Sequence, residues 1–147
     1  MIDGILQLVS NGFTLTISLA TLFACLFAIV WGQWPEKVAS VGILAGWGLS
    51  LLVFDRDGHA QPVLAAVDAV VLLGLGWAAI ATKRAWLLWA TAAQLLMVVT
   101  HGAMVIFADV SLAAFSSVLG VWSLVLVTSL IVGALQHPAR AEGWSWT

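Results

Sequence analysis

Long apolar stretches are the feature of this chain that most limits how it can fold. Five such runs follow one another, separated only by short polar segments. Each run has about 17 to 25 residues, the length at which an α-helix rising about 1.5 Å per residue crosses the hydrocarbon core of a bilayer. Hydrophobic residues make up 63% of the chain and charged residues 8%, whereas soluble domains are roughly 25% charged. The chain must therefore fold in lipid.

We predict an all-α integral membrane bundle of five transmembrane helices that forms a single domain over residues 1–147. The predicted spans cover about 13–31, 38–54, 63–81, 85–107 and 111–135. A tight turn at 82–84 joins the third and fourth spans. The net charge of −2, with no basic patch larger than Lys83-Arg84, argues against nucleic-acid binding and leaves the lipid bilayer as the main partner.

Basic residues are distributed unequally between the two predicted sides of the membrane. One side carries Lys37, Lys83, Arg84 and Arg140, and the other carries only Arg56. Because short cytoplasmic loops are enriched in Lys and Arg, we expect the N-terminus outside and the C-terminus in the cytoplasm. Six tryptophans fall near the same cytoplasmic interface, namely Trp31, Trp34, Trp86, Trp89, Trp144 and Trp146.

An acid and a histidine lie inside the third and fourth spans. Asp68 is about 15 residues before the turn and His101 about 17 residues after it. In antiparallel neighbours this spacing places both within about one helical turn of the same depth, in the outer half of the membrane. An ionisable residue inside a span is by default a functional hypothesis, and the pair could hold a proton. The structural alternative is that Asp68 and His101 only staple two helices together.

Other polar side chains fall near the same depth or on the same helix face. Gln94 shares a face of the fourth span with His101, and Thr100, Ser116 and Ser117 lie close in depth. The candidate site for a proton or polar ligand is therefore Asp68, His101, Gln94, Thr100, Ser116 and Ser117.

Metal, haem and catalytic roles have less support than proton binding. His101 could ligate a haem, but no second histidine lies at its depth, and no metal site is predicted. Hydrolysis by a Ser/His/Asp set would need Ser116 or Ser117, and no nucleophile motif surrounds either serine. We predict that the chain is not an enzyme, and the sequence leaves open whether it binds a cofactor.

Small residues predict where the helices pack closely. Gly42 and Gly46 form a GxxxG pair on the second span, which permits close approach of a neighbouring helix. On the first span, Thr14 and Ser18 begin a stripe that continues along one face through Thr21 and Cys25. We interpret this stripe as a helix-packing surface.

The segment 68–101 also carries a resemblance to a known group of proteins. Its features are Asp68, the short basic turn, the aromatic run WLLW at 86–89, Gln94 and the pair Thr100-His101. In these features it resembles a group of small uncharacterised multi-span proteins of alphaproteobacteria, sphingomonads especially. The resemblance covers roughly the C-terminal two thirds of the chain. It implies a bacterial inner-membrane setting and no particular activity.

Two functions of different classes follow from these observations. The first is an accessory or structural subunit of a larger bacterial membrane complex, such as an energy-converting one, that acts by packing its helices against partner subunits. The second is a small membrane carrier or sensor that binds a proton or polar ligand at Asp68 and His101. We expect a carrier of this size to form a homo-oligomer, because five spans leave little room for a pathway within one chain.

Overall fold

The described part of the chain is built only from α-helices. The computed structural model describes residues 12–53, 61–106 and 112–136, and within them no strand occurs. The helices are α1 Gly12–Trp31, α2 Trp34–Val53, α3 Gln61–Thr82, α4 Ala85–Ile106 and α5 Leu112–Gln136. The predicted all-helical class is confirmed in these residues, and each predicted span overlaps one helix.

The lengths and hydropathies of these helices fit a multi-pass membrane protein. Four of them are long and apolar enough to cross a membrane: Trp34–Val53, Pro62–Thr82, Ala85–Met104 and Ala114–Gln136. In α1 the apolar stretch is shorter, Leu15–Trp31. Large aliphatic side chains point outward on several helices, and Ile80, Leu73 and Ile106 are each more than 70% exposed. Such a surface suits lipid, because apolar side chains gain nothing by facing water.

The second helix begins four residues earlier than predicted, at Trp34 instead of Val38. Pro35 fits the first helical turn, where its missing N–H removes no hydrogen bond. The carboxylate of Glu36 accepts a hydrogen bond of 2.9 Å from the backbone N–H of Gln33, which satisfies one of the unpaired donors at the helix start. Together these residues extend the helix into the segment that we predicted as a connection.

The link between α3 and α4 is as short as predicted. Only Lys83 and Arg84 are non-helical there, and Lys83 adopts a left-handed backbone conformation with φ of 53°. The N–H of Lys83 still donates to the carbonyl of Ala79 at 2.9 Å, which closes the last turn of α3. The chain therefore reverses within two residues, and α3 and α4 are forced into an antiparallel pair.

The five helices close into a ring. Each packs against its neighbours in sequence, α5 returns to pack against α1, and α2 touches α5 across the middle. We call the helix ends that carry Lys37, Lys83 and Arg84 the basic end, and the other the opposite end. The predicted placement of Arg56 and Arg140 lies outside the described residues, so the orientation of the bundle stays a prediction.

The interior is filled mainly toward the basic end, largely by small side chains. The buried cluster consists of Cys25, Ala28, Ala39, Ile43, Leu75, Ala79, Trp86, Leu87, Ala90, Ala93, Met97, Leu126, Leu130 and Ala134. Its largest member, Trp86, lies against Gly133 of α5, where an added Cβ would come within 2.6 Å of the indole ring. Gly133 is therefore what lets this ring enter the bundle.

The predicted packing residues behave differently from one another. Gly46 faces α3, and a Cβ there would lie 3.1 Å from Val71, whereas a Cβ on Gly42 would meet nothing within 4 Å. Gly46 therefore packs against α3, whereas Gly42 is exposed on the outer face of α2, and their role as a packing pair stays a prediction. Ser18 is buried on the inward face of α1 with Cys25. The side chain of Thr14 lies outside the described residues.

Candidate functional site

The structure brings Asp68 and His101 into contact. The Nε2 atom of His101 lies 3.0 Å from Oδ2 of Asp68. The His101 side chain is 5% exposed and the Asp68 side chain 22%. The short link at 83–84 is what produces the contact, because it sets the register of α3 against α4. The contact between Asp68 and His101 agrees with their similar predicted depth.

Gln94 holds the same carboxylate from a second direction. Its Nε2 donates to Oδ1 of Asp68 at 2.9 Å and to the backbone carbonyl of Asp68 at 3.2 Å. Gln94 is buried and lies two helical turns before His101 on the same face of α4. Each carboxylate oxygen of Asp68 therefore has a partner on α4, and one acid joins the two helices at two levels.

An aromatic ring covers the histidine on the side of α5. The ring of Phe115 meets the imidazole of His101 edge-on, with 5.2 Å between the ring centroids. Phe115 is itself buried. The sequence analysis did not include Phe115, because depth alone did not distinguish it from the other apolar residues of α5. Phe115 therefore covers part of the buried imidazole, while Asp68 retains partial exposure.

The other predicted members of the site are Thr100 on α4 and Ser116 and Ser117 on α5. The hydroxyl of Thr100 donates to the carbonyl of Leu96 at 2.7 Å, a bond within α4. The hydroxyl hydrogen of Thr100 is therefore used within α4, and the place of Thr100 in the site stays a prediction. Ser116 is half-buried and Ser117 is exposed on α5.

The Asp68–His101–Gln94 group, which we call the polar triad, can exist in two charge states. With a proton shared between Asp68 and His101, the pair has no net charge, either as an ion pair or as two neutral groups. Without that proton it carries one negative charge. Burial in an apolar medium disfavours an unbalanced charge, whereas Gln94 stabilises the carboxylate by donating to it. The geometry can therefore hold one exchangeable proton.

A second polar cluster, absent from the sequence analysis, lies at the basic end. Glu36 is fully buried, and its Oε1 accepts from Nη1 of Arg84 at 2.6 Å. The second nitrogen of the same guanidinium, Nη2, donates to the side-chain oxygen of Gln33. The forked guanidinium of Arg84 thus joins the α3–α4 link to the start of α2, where Glu36 lies 48 residues earlier in the chain. We call Gln33, Glu36 and Arg84 the basic-end clamp.

The sequence carried a signal for half of this clamp. A residue that starts a helix, followed three positions later by Glu, has the spacing of a capping box, and Gln33 and Glu36 have that spacing. The partnership with Arg84 had no such signal, because it depends on α2 lying next to α3 in the ring.

Few residues of the described chain are suited to bind a metal. Within 12–53, 61–106 and 112–136, no three His, Cys, Asp or Glu side chains come together as a metal-binding group. Cys25 is fully buried among the small residues of the core.

The chain shows no similarity to known proteins in three comparisons. No protein-family model matches it, and neither does any curated protein or any solved structure. The resemblance of residues 68–101 to small alphaproteobacterial membrane proteins stays a prediction.

Proposed function

We propose that this chain is a small multi-pass protein of the bacterial inner membrane that binds a proton, or a polar ligand carrying one, at Asp68 and His101. The observation that carries the proposal is the position of the Asp68 carboxylate. His101 and Gln94 both hold it, yet its side chain remains 22% exposed. We infer that the proton is exchanged at this exposed part of the carboxylate.

The depth of the pair favours exchange from one side only. Asp68 follows the start of α3 by seven residues, and His101 precedes the end of α4 by five. At 1.5 Å per residue both are within about 11 Å of the opposite end. In the other direction lies the packed core around Leu87 and Leu130, both fully buried. This arrangement favours a one-sided sensor over a carrier that passes a proton through the bundle.

Proton binding at the triad has a mechanical consequence for α3 and α4. When the pair is an ion pair, the contact between Asp68 and His101 is charge-assisted and roughly twice as strong as a neutral hydrogen bond. Loss of the proton leaves a carboxylate beside a neutral imidazole, so the attraction between two opposite charges is lost and the contact is weaker. The packing of α3 against α4 would then report the proton concentration at the opposite end.

The orientation of the bundle decides which compartment is sensed. Lys37, Lys83 and Arg84 all lie at the basic end, and the positive-inside rule assigns such an end to the cytoplasm. The triad then faces the outside, which is the periplasm in a Gram-negative host. With an odd number of spans, the N-terminus is outside and the C-terminus is cytoplasmic.

The second candidate is an accessory subunit, and one observation favours it. Gly42 and Ala45 are exposed on the outer face of α2, where Gly42 meets open space. Small residues on an outer face let another transmembrane helix approach closely. A helix of a partner subunit, or of a second copy of the chain, would pack closely on this face.

Titration of His101 tests the first candidate. The chain has three histidines, so replacing His59 and His137 by Gln leaves His101 as the single reporter in a nitrogen NMR spectrum of the imidazole. We expect a reversible change between protonated and neutral imidazole as pH is varied. Asp68→Asn should alter this change, because the carboxylate that contacts the imidazole is gone. Leu96 lies on the same helix but outside the polar triad, so Leu96→Gln controls for the general effect of a polar substitution on this helix.

Two outcomes would reject the proton-binding proposal. One is an imidazole spectrum that does not change over the range in which the protein stays folded. The other is a titration of His101 that Asp68→Asn leaves in place.

Purification in mild detergent tests the second candidate. An accessory subunit should co-migrate with other polypeptides, and Gly42→Leu should release them while Gly74→Leu, at another open position, does not. A chain that migrates alone, and is unaffected by Gly42→Leu, would reject it.

A further inference from the structure

An open groove runs along the outer surface between α4 and α5. Its volume is about 480 Å³, and most of its lining is apolar. The lining residues are Trp86, Trp89, Val121, Leu124, Val125, Thr128, Ser129 and Val132. Ser129 donates its hydroxyl hydrogen to the carbonyl of Val125 in its own helix, so this polar group is already satisfied. The groove is therefore mainly apolar.

The groove is formed by side chains that the fold holds in place. Trp86 is 2% exposed and its ring lies directly on Gly133, so it cannot move toward α5 without a clash. Trp89, one turn further along α4, is 67% exposed and forms the outer wall. A channel with one fixed aromatic wall is preformed, which lowers the entropy lost when a flexible chain enters it.

The dimensions of the groove match one leaflet of a bilayer. On α5 the lining extends from Val132 to Val121, eleven residues toward the middle of the bundle. At about 1.5 Å per residue this is about 16 Å, close to half of a hydrocarbon core that is about 30 Å thick. The groove begins near the basic end, beside the start of α4.

A lysine lies close in sequence to the basic end of the groove. Lys83 precedes Trp86 by three residues, and its side chain is exposed. Its neighbour Arg84 is held by Glu36 and Gln33, so of the two cations in this link Lys83 is the one that faces outward. Lysine near a membrane surface attracts anionic lipid headgroups, and tryptophans favour the interface level.

We propose that this groove binds one anionic phospholipid from the leaflet at the basic end. One acyl chain lies between α4 and α5 against Trp86 and Val125, and the phosphate lies near the ammonium group of Lys83. The groove supplies apolar contact for the chain, and Lys83 supplies the preference for a negatively charged headgroup. The site is independent of the polar triad, which lies near the other end of α4.

The test measures lipid binding to the purified full chain by native mass spectrometry. The probes are phosphatidylglycerol and phosphatidylcholine with identical acyl chains. We expect one retained phosphatidylglycerol, bound more tightly than phosphatidylcholine. Lys83→Gln should weaken phosphatidylglycerol binding about fivefold and leave phosphatidylcholine binding unchanged, whereas Lys83→Arg should retain the preference. Val125→Trp fills the groove and should prevent retention of either lipid.

A matched substitution controls for the added tryptophan. Val70 on α3 is 69% exposed and does not line the groove, so Val70→Trp should leave lipid retention unchanged. Equal retention of the two lipids, or equal effects of Val125→Trp and Val70→Trp, would overturn the proposal. So would a change from dimer to monomer in Val125→Trp without loss of lipid, because a second copy of the chain would then be the occupant of the groove.

Discussion

Replacing Glu36 by alanine should destabilise the bundle more than any exposed charge substitution. The change removes the carboxylate that receives Arg84 at 2.6 Å and the acceptor for the N–H of Gln33 at 2.9 Å. Breaking a buried ion pair by deleting one partner costs about 3–5 kcal/mol. Arg84 is 19% exposed, so water can solvate it in part, and the low end of that range applies. We therefore expect a loss of about 3 kcal/mol in the free energy of unfolding.

A double-mutant cycle measures the interaction energy between Glu36 and Arg84 apart from their contacts with other residues. Arg84→Ala leaves a fully buried Glu36 without its cation, so it should cost at least as much as Glu36→Ala. The double variant Glu36→Ala/Arg84→Ala should cost clearly less than the sum, because neither charge is then left alone. The free energy is measured by titrating micelle-embedded protein with sodium dodecyl sulfate and following helix content by circular dichroism.

The reasoning would be refuted by an additive cycle, or by a cost below about 1 kcal/mol for Glu36→Ala. Either result would mean that the clamp behaves like a solvated surface pair. Lys37→Ala is the matched control: it removes an exposed charge from the next position of α2 and should change stability by less than about 0.5 kcal/mol.

Two further substitutions probe the packing of α4. Gly133→Ala should lower the free energy of unfolding by about 1–3 kcal/mol, because the added Cβ overlaps the Trp86 ring. Gly74→Ala adds a Cβ in open space and should be neutral or slightly stabilising. The same detergent titration compares the two variants. Gln94→Leu removes both hydrogen bonds to Asp68 and should lower the free energy of unfolding by about 0.6–2 kcal/mol, the range for interhelical polar contacts in membranes. An unchanged free energy of unfolding would mean that Gln94 only orients the Asp68 carboxylate.

The helices and the Asp68–His101 contact could be predicted because they depend on the lengths of apolar runs and on the number of residues from a short link. Helix positions follow from the length of each apolar run. The contact follows from counting residues on either side of a two-residue link, which fixes the depth of each side chain. Counting gives depth but not direction around the helix axis. That is why Thr100, adjacent to His101 in sequence, was expected in the site but donates to Leu96 on its own helix.

The basic-end clamp and the glycine pair show where such counting fails. Glu36 lies in the first turn of α2 and Arg84 in the α3–α4 link, and only the closed ring places α2 beside α3. Gly42 and Gly46 are separated by four residues, which rotates one from the other by roughly 40° about the helix axis. An interface edge can pass between them, and here Gly46 meets Val71 while Gly42 faces outward. A spacing of four residues therefore places two side chains on the same helix face only to within roughly 40°.

Site-specific cross-linking tests the central contact most directly. In a Cys25→Ala background, which removes the single native cysteine, Asp68→Cys/His101→Cys is treated with a short thiol-specific cross-linker. Trypsin in denaturant then cuts after Lys83 and Arg84, which separate the two positions. We predict that the halves stay joined in this variant and fall apart in the control Asp68→Cys/Thr100→Cys. Halves that separate in the first variant, or remain joined only in the control, would contradict an acid and a histidine facing each other between α3 and α4.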